Sequence, residues 1–316
     1  MRVLIYHRLF IGDLVVCTPS IDAFKALHPE ARFGLVANDL VESVARRVST
    51  IEQLWTYRKF DRKASELVAI AAARKWKPDM TIALSHTPDI KLACRLVLLP
   101  NGSGVASGSL FDRLAYRLRR VRPEDIPGGH MVERIAAVFG LAAGTPLPYV
   151  RLENPGVARR FSVLVHVDAR KPSDRPSPEQ ILDVVRSLLA AGRVDKVAIT
   201  GVSPHSAHAS HRRNVSLWER ITRELRGEAR CEFPVVSIGE MLDLVAASDS
   251  VICAHGGVMH VAAALGRPVV ALFGNVSRET WGPWSARSKA LQTPSCVAAD
   301  IPVEDIIQAW RSLTDM

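Results

Sequence analysis

Residues 249–274, DSVICAHGGVMHVAAALGRPVVALFG, decide how this chain is read. A short apolar run with β character, Ser250 to Cys253, turns through Ala254-His255-Gly256-Gly257 into an alanine-rich segment. Gly266-Arg267-Pro268 stops that segment before a second apolar run, Val269 to Phe273. Strand, glycine turn, helix and strand make one βαβ unit. Paired glycines let a ligand come close to the backbone, and the following helix turns its unpaired N–H groups and positive dipole end toward the same spot. A phosphate or diphosphate is expected there on His255, Gly256, Gly257 and Val258, with His260 in the first turns as a further donor. Two glycines alone fit equally well a plain tight turn with His260 as an ordinary, partly buried histidine.

Working outward, the same alternation recurs. Val3–Tyr6, Arg32–Val36, Gln53–Tyr57 and Met80–Leu84 read as strands, and 18–27, 38–48 and 62–75 as the helices between them. Ser162–Val167 and Val197–Thr200 restart the pattern, followed by a strand-like Pro234–Ser237 and a helix over 239–247. Repeated βα units of this length predict parallel, doubly wound sheets. A length of 316 residues suits two domains. The Gly- and Pro-rich stretch Ala143–Pro155 marks the linker, giving domains at 1–150 and 156–300, with a closing amphipathic helix (301–316) able to pack back on the first.

A hydrophobic content of 48% is that of a globular protein, and no apolar run approaches membrane-spanning length. The N-terminus reads as a strand and not a signal peptide. Five scattered cysteines without CxxC spacing fit reduced thiols in a cytoplasmic protein, with neither a disulfide framework nor a zinc site. The net charge of +9 favours acidic partners such as nucleotides, phosphorylated glycolipids or an anionic membrane surface. Nucleic acid is disfavoured because no RNA- or DNA-binding signature appears. His205, His208 and His211 recur every third residue without an accompanying acid or cysteine, which fits an exposed loop better than a metal site.

Several positions stand out for chemistry. Asp13 lies just past the first strand, where open α/β sheets place ligands, although an Asp after a Gly is also a common helix cap. Lys171 and Arg175 follow the strand 162–167, facing the same rim as the Gly256-Gly257 turn. Residues 101–110, NGSGVASGSL, read as a loop, and Arg113, Arg117 and Arg120 recur at helical spacing after it. That stripe is either a solvated face or a dock for an anionic acceptor or lipid surface.

Four stretches together resemble the ADP-heptose-dependent heptosyltransferases of lipopolysaccharide core assembly, glycosyltransferase family 9. They are Ile11-Gly12-Asp13 with Thr18-Pro19; His130-Met131-Val132-Glu133-Arg134; Ser237-Ile238-Gly239-Glu240 running to Ser248-Asp249; and Gly257-Val258-Met259-His260 through Phe273-Gly274. Trp281-Gly282-Pro283 is also similar to the segment that follows in the family. The resemblance implies a GT-B fold, two Rossmann-like domains facing a central cleft. It implies inverting, metal-independent transfer from a nucleotide sugar with Asp13 as general base, a donor held by the second domain, an anionic glycan or glycolipid acceptor held by the first, and no cofactor. It also implies a cytoplasmic enzyme with contact to the inner membrane surface.

The sequence departs from the family where an acidic residue and a Thr or Ser usually precede the phosphate-turn glycine, positions held here by His255 and Gly256. A family lysine or arginine falls near Asp174 and Arg175, with Arg175 or Lys171 as substitutes, and the ribose-binding glutamate is missing near Ser203 and Pro204. These departures leave open a different donor or reduced activity. The alternatives are a catalytically impaired nucleotide- or glycan-binding assembly protein and a nucleotide-sugar epimerase.

Overall fold

The computed structural model describes residues 1–315 apart from 60–61, 86, 98, 107, 127 and 202–214. His205, His208, His211, Ser203 and Pro204 lie outside the described residues. The chain divides into two compact units, Met1–Glu153 and Asn154–Met316.

In the first unit, β1 (Arg2–His7), β2 (Arg32–Asn38), β3 (Ile51–Tyr57), β4 (Met80–Leu84), β5 (Gly102–Val105) and β6 (Arg119–Val121) form one parallel sheet in the order β3-β2-β1-β4-β5-β6. Its helices are α1 (Ile11–Val15), α2 (Thr18–Leu27), α3 (Glu42–Ala45), α4 (Arg62–Lys75), α5 (Ile90–Leu96), α6 (Leu110–Ala115) and α7 (Met131–Phe139). Parallel strands need crossover helices that cover both sheet faces, so central strands must be apolar throughout. Val3, Leu4, Ile5 and Tyr6 accordingly have no solvent exposure. The chain winds from β1 outward to β3, then returns across β1 to β4, so the winding direction reverses between β1 and β4.

The second unit repeats the plan. Its strands β7 (Phe161–His166), β8 (Val197–Thr200), β9 (Cys231–Glu232), β10 (Ser248–Ala254), β11 (Val269–Phe273) and β12 (Ser288–Gln292) are ordered β12-β11-β10-β7-β8-β9, again parallel, with the reversal between β7 and β10. Its helices are α8 (Pro178–Ala190), α9 (Val215–Leu225), α10 (Ile238–Ala246), α11 (Gly257–Ala264), α12 (Arg278–Trp281) and α13 (Val303–Thr314). Among the described residues no helix is long and apolar enough to cross a membrane.

Three expectations are corrected. The stretch 101–110 is not all loop: Gly102–Val105 is strand β5, paired with β4 and β6. The run after it is not one helix, because α6 ends at Ala115 and the chain becomes strand β6. Tyr116 explains both. It is buried against Gly104, where any side chain would meet its ring, and a side chain on Gly102 would collide with the Ala115 carbonyl. Filling that gap breaks the helix and brings Leu118 N–H to the Gly102 carbonyl at 3.0 Å, which starts the β5–β6 pairing. Arg113, Arg117 and Arg120 therefore sit on a helix, a turn and a strand, all exposed, and do not form a helical stripe. Residues 234–237 are not a strand either: β9 lies earlier, and Ser237 instead caps α10 by accepting from Glu240 N–H.

The closing helix α13, expected to be able to pack back on the first domain, is built into the second unit. Ile306, Trp310 and Leu313 join the core formed by Val163, Ile252 and Leu188. Trp310 Nε1–H donates to Ser250 Oγ at 2.9 Å, and that hydroxyl donates to the Ser162 carbonyl at 3.0 Å, tying α13 to β10 and β7. A buried indole N–H needs such a partner, so the bond fixes the helix's rotation as well as its position.

Candidate functional site

In open α/β sheets, the crevice at the carboxyl ends of the strands flanking a winding reversal is left uncovered by helices and receives ligands. Each unit has such a place.

In the first unit it lies past the ends of β1 and β4. His7, the last residue of β1, is fully buried, and its Nε2–H donates to the Phe10 carbonyl at 3.1 Å. The loop between them is braced from β2 by Asn38 Nδ2, which donates to the Leu9 carbonyl at 2.9 Å, and by Lys59 Nζ at 3.4 Å from the same oxygen. The chain then enters α1, with half-buried Asp13 as its third residue. Its carboxylate accepts the Phe10 N–H at 3.1 Å, which orients the side chain and satisfies an amide at the helix start. Asp13 is thus the third helical residue and not the N-cap, and the bond to Phe10 occupies only part of its carboxylate's acceptor capacity.

His7, Leu9, Asp13, Cys17, Leu84, Ser85 and Ile135 line a cavity with room for about one water molecule, about 10 Å³. Burial, opposed by the Asp13 charge and the Phe10 carbonyl, holds the His7 imidazole well below its ordinary range, so it is neutral at pH 7. Burial first, then the Asp13 charge, push the Cys17 thiol well up, which makes it a poor nucleophile. Behind the loop, buried Glu66 accepts from Tyr6 Oη–H and pairs with Arg8 Nε and Arg95 Nε, each at 3.4 Å. Arg8 reaches on to Asp89 at 3.3 Å. Sequence reasoning did not single out His7, Arg8 or Glu66. His7 and Arg8 show only as polar groups that end or follow an otherwise apolar strand, and Glu66 only as one acid on helix α4.

In the second unit β10 ends at Ala254, and the chain passes through His255 and Gly256 into α11. Gly256 stands at the N-cap and brings no side chain to accept the first N–H groups of the helix. Those amides, with the dipole behind them, suit an anion. A Cβ on Gly256 would meet nothing within 4 Å, so the space over the turn is open. Gly257 and Val258 are the first two helical residues, both half-buried. His260 lies on the inner side of the helix, 2% exposed, with its ring centroid 6.5 Å from that of Trp281.

The loop after β7 supplies the neighbouring charges. Lys171 is exposed at the start of a single helical turn, Pro172–Asp174. Arg175 folds back on its own loop and donates to the Ala169 and Arg170 carbonyls at 3.0 and 3.2 Å, so it acts there as a brace. Asp174 is 2% exposed; its Oδ1 accepts the Gly274 N–H at 3.0 Å and its Oδ2 lies 3.6 Å from His255 Nδ1. Burial alone would raise this carboxyl, but the His255 imidazole, the Gly274 amide and Lys171 outweigh it and hold it below its ordinary range. A side chain on Gly274 would collide with the Ser173 carbonyl and crowd that carboxylate. The His255 ring rests against Phe273, centroids 4.9 Å apart. Among the described residues no group of three His, Cys, Asp or Glu could hold a metal ion.

Comparison with known proteins agrees with this architecture. Residues 204–308, which include the β10–α11 turn, match the model of glycosyltransferase family 9 (heptosyltransferase). Lipopolysaccharide heptosyltransferase 3 of Escherichia coli is 22% identical over 305 residues, 87% of this chain and 84% of that protein. Among solved structures, the glycosyl transferase family 9 protein of Veillonella parvula superposes with a TM-score of 0.80 at 17% identity, covering 99% of this chain and 96% of the other. E. coli heptosyltransferase WaaC with ADP gives 0.77 at 18% identity, over 99% and 100%. The family model matches a segment of the second unit and the solved structures share the fold of both units, so the chain is similar to the family 9 glycosyltransferases and has their GT-B fold.

Proposed function

We propose that the protein transfers a sugar from a nucleotide diphosphate donor, ADP-heptose first among candidates, to a lipopolysaccharide-core or related glycan acceptor, with inversion at the anomeric carbon. The acceptor hydroxyl oxygen forms the new bond to that carbon and its proton passes to the Asp13 carboxylate. The bond to the diphosphate breaks with its electron pair leaving on the diphosphate oxygen. The amides of Gly256, Gly257 and Val258 stabilise that charge and, being oriented in advance, need no reorganisation as it develops. The observation that carries this reading is the uncapped helix start at the winding reversal of the second sheet, inside the segment that matches the family. Lys171 is assigned to the same diphosphate. Arg175 and His260, one turned to its loop and the other inward, are assigned to shaping the pocket around it.

For the acceptor, Arg113, Arg117 and Arg120 are exposed beside Leu110, Phe111, Leu114 and Leu118, which are 39–67% exposed. Arginines interleaved with exposed apolar side chains suit an anionic glycolipid presented at a membrane surface, here the cytoplasmic face of the inner membrane.

A panel of ADP-, UDP- and GDP-sugars, assayed for stabilisation of the fold and for transfer to a core-oligosaccharide acceptor, tests the proposal. Preferential stabilisation by ADP-linked sugars together with transfer is the expected result. Binding without turnover would favour an assembly protein instead. A sugar isomer formed without acceptor would favour the epimerase; the fold alone does not separate the two activities, since a UDP-GlcNAc 2-epimerase of Methanocaldococcus jannaschii superposes at a TM-score of 0.50.

A further inference from the structure

We infer that His255 and Asp174 form a proton-linked clamp on the donor: Asp174 holds His255 through Nδ1, and the imidazolium presents Nε2–H to a phosphate oxygen, so that donor binding takes up a proton. The inference rests on the reading that the second unit binds a nucleotide sugar, and it gives this chain's departure at position 255 a role.

His255 immediately precedes the open glycine and the uncapped helix start. Phe273 lies against its ring and Asp174 lies beside Nδ1 at 3.6 Å, while the side chain keeps 20% exposure, which leaves Nε2 as the nitrogen to serve a ligand. The carboxylate that sets the ring is itself fixed. Asp174 is buried, bonded to the Gly274 amide and set on a loop that Arg175 braces from within. Gly274 permits this approach because it has no side chain to strike Ser173. Charged and titratable groups on the surrounding elements are Asp168, Arg170, Lys171, Asp174 and Arg175 on the loop after β7, His166 at the end of β7, Cys253 near the end of β10, and His260 in α11. Of these, Asp174 is the carboxylate that faces Nδ1, and it is held below its ordinary range.

With its proton on the Nδ1 that faces the ionised Asp174 at 3.6 Å, a neutral ring has only a lone pair at Nε2, which repels an oxyanion. Protonation turns that nitrogen into a donor, so a bound diphosphate and the charged ring favour each other. The clamp thereby places a positive charge beside the leaving group at no cost in flexible side-chain entropy, which a lysine there would incur. Asp174 is a positioning residue in this scheme, and His255 touches the donor.

The experiment is titration calorimetry with ADP-glucose, whose doubly substituted diphosphate has no ionisation of its own near neutrality, from pH 6 to 8.5 in two buffers of different ionisation heat. Wild-type protein should bind with uptake of up to one proton and lose affinity by up to about tenfold per pH unit above the transition. His255→Gln should bind roughly tenfold more weakly at pH 6 and show no such slope, and His255→Lys should bind across the range without a slope. Asp174→Asn, which keeps an acceptor for Gly274, should move the transition to lower pH. Equal thermal midpoints show that each variant is folded. A wild-type affinity independent of pH, or an unchanged slope in His255→Gln, overturns the clamp while leaving nucleotide binding intact. Failure of wild-type protein to bind any of ADP-, UDP- and GDP-sugars at any pH overturns the nucleotide reading, and the clamp with it.

Discussion

The two sheets share one strand order and one position of the winding reversal, yet they fill that position with opposite electrostatics. In the first unit the helix start after β1 is closed by its own carboxylate, Asp13, which accepts the Phe10 amide, and a buried neutral histidine stands behind it. In the second, the helix start after β10 is left open by Gly256, and a neighbouring carboxylate, Asp174, is turned to Gly274 and His255. The lesson is that the fold supplies an exposed crevice and leaves its sign to a few residues. A side-chain carboxylate makes one suited to taking protons, and bare amides make the other suited to holding anions.

The largest effect expected from breaking this contrast is at Asp13. Asp13→Ala should lower turnover by about 10²- to 10⁴-fold, the span of a general base, while leaving ADP affinity nearly unchanged in a binding assay. Wild-type turnover in that variant would remove the carboxylate from the mechanism.

Two glycines on the other side separate an open site from a packed one. Gly256→Val has room for its side chain and an extended backbone any residue adopts, so it should keep its thermal midpoint and lose donor affinity by tenfold or more, about 1.4 kcal/mol. Gly274→Val should instead be destabilised by about 1–3 kcal/mol in denaturant melts, because the Ser173 carbonyl blocks it.

A third prediction concerns acid. His7 is neutral in the fold and its pKa is depressed, so its contribution to stability is complete above about pH 6.5, its unfolded value, and is lost as pH falls toward the folded value near 4. The slope from this residue approaches about 1.4 kcal/mol per pH unit, and His7→Phe should flatten it in melts across that window. The smallest effect is at Trp310→Phe, which loses the bond to Ser250 and should cost about 1 kcal/mol without touching donor binding.

Much of this architecture was legible beforehand, because central parallel strands must be apolar on both faces and their runs stand out between turn residues. Thr18–Leu27, Arg62–Lys75 and Met80–Leu84 were read to the residue. What escaped was decided by contacts between distant positions. Gly102 and Gly104 have little strand propensity, and only the space they leave for Tyr116 shows why this segment is a strand. Helical spacing of Arg113, Arg117 and Arg120 was a true pattern in the letters, overruled when the same tyrosine ended the helix. The Asp174–His255–Gly274 contact joins three positions separated by up to 100 residues, and no local pattern encodes it.

The short strand that Tyr116 makes possible has a bearing on solubility. β6 is the outer strand of its sheet, three residues long, and carries Arg119 and Arg120 in its paired register. A brief border with like charges side by side is a poor template for another chain to extend. Concentrated protein should therefore resist sheet-to-sheet polymerisation along this border, and replacing both arginines with threonine should let it grow.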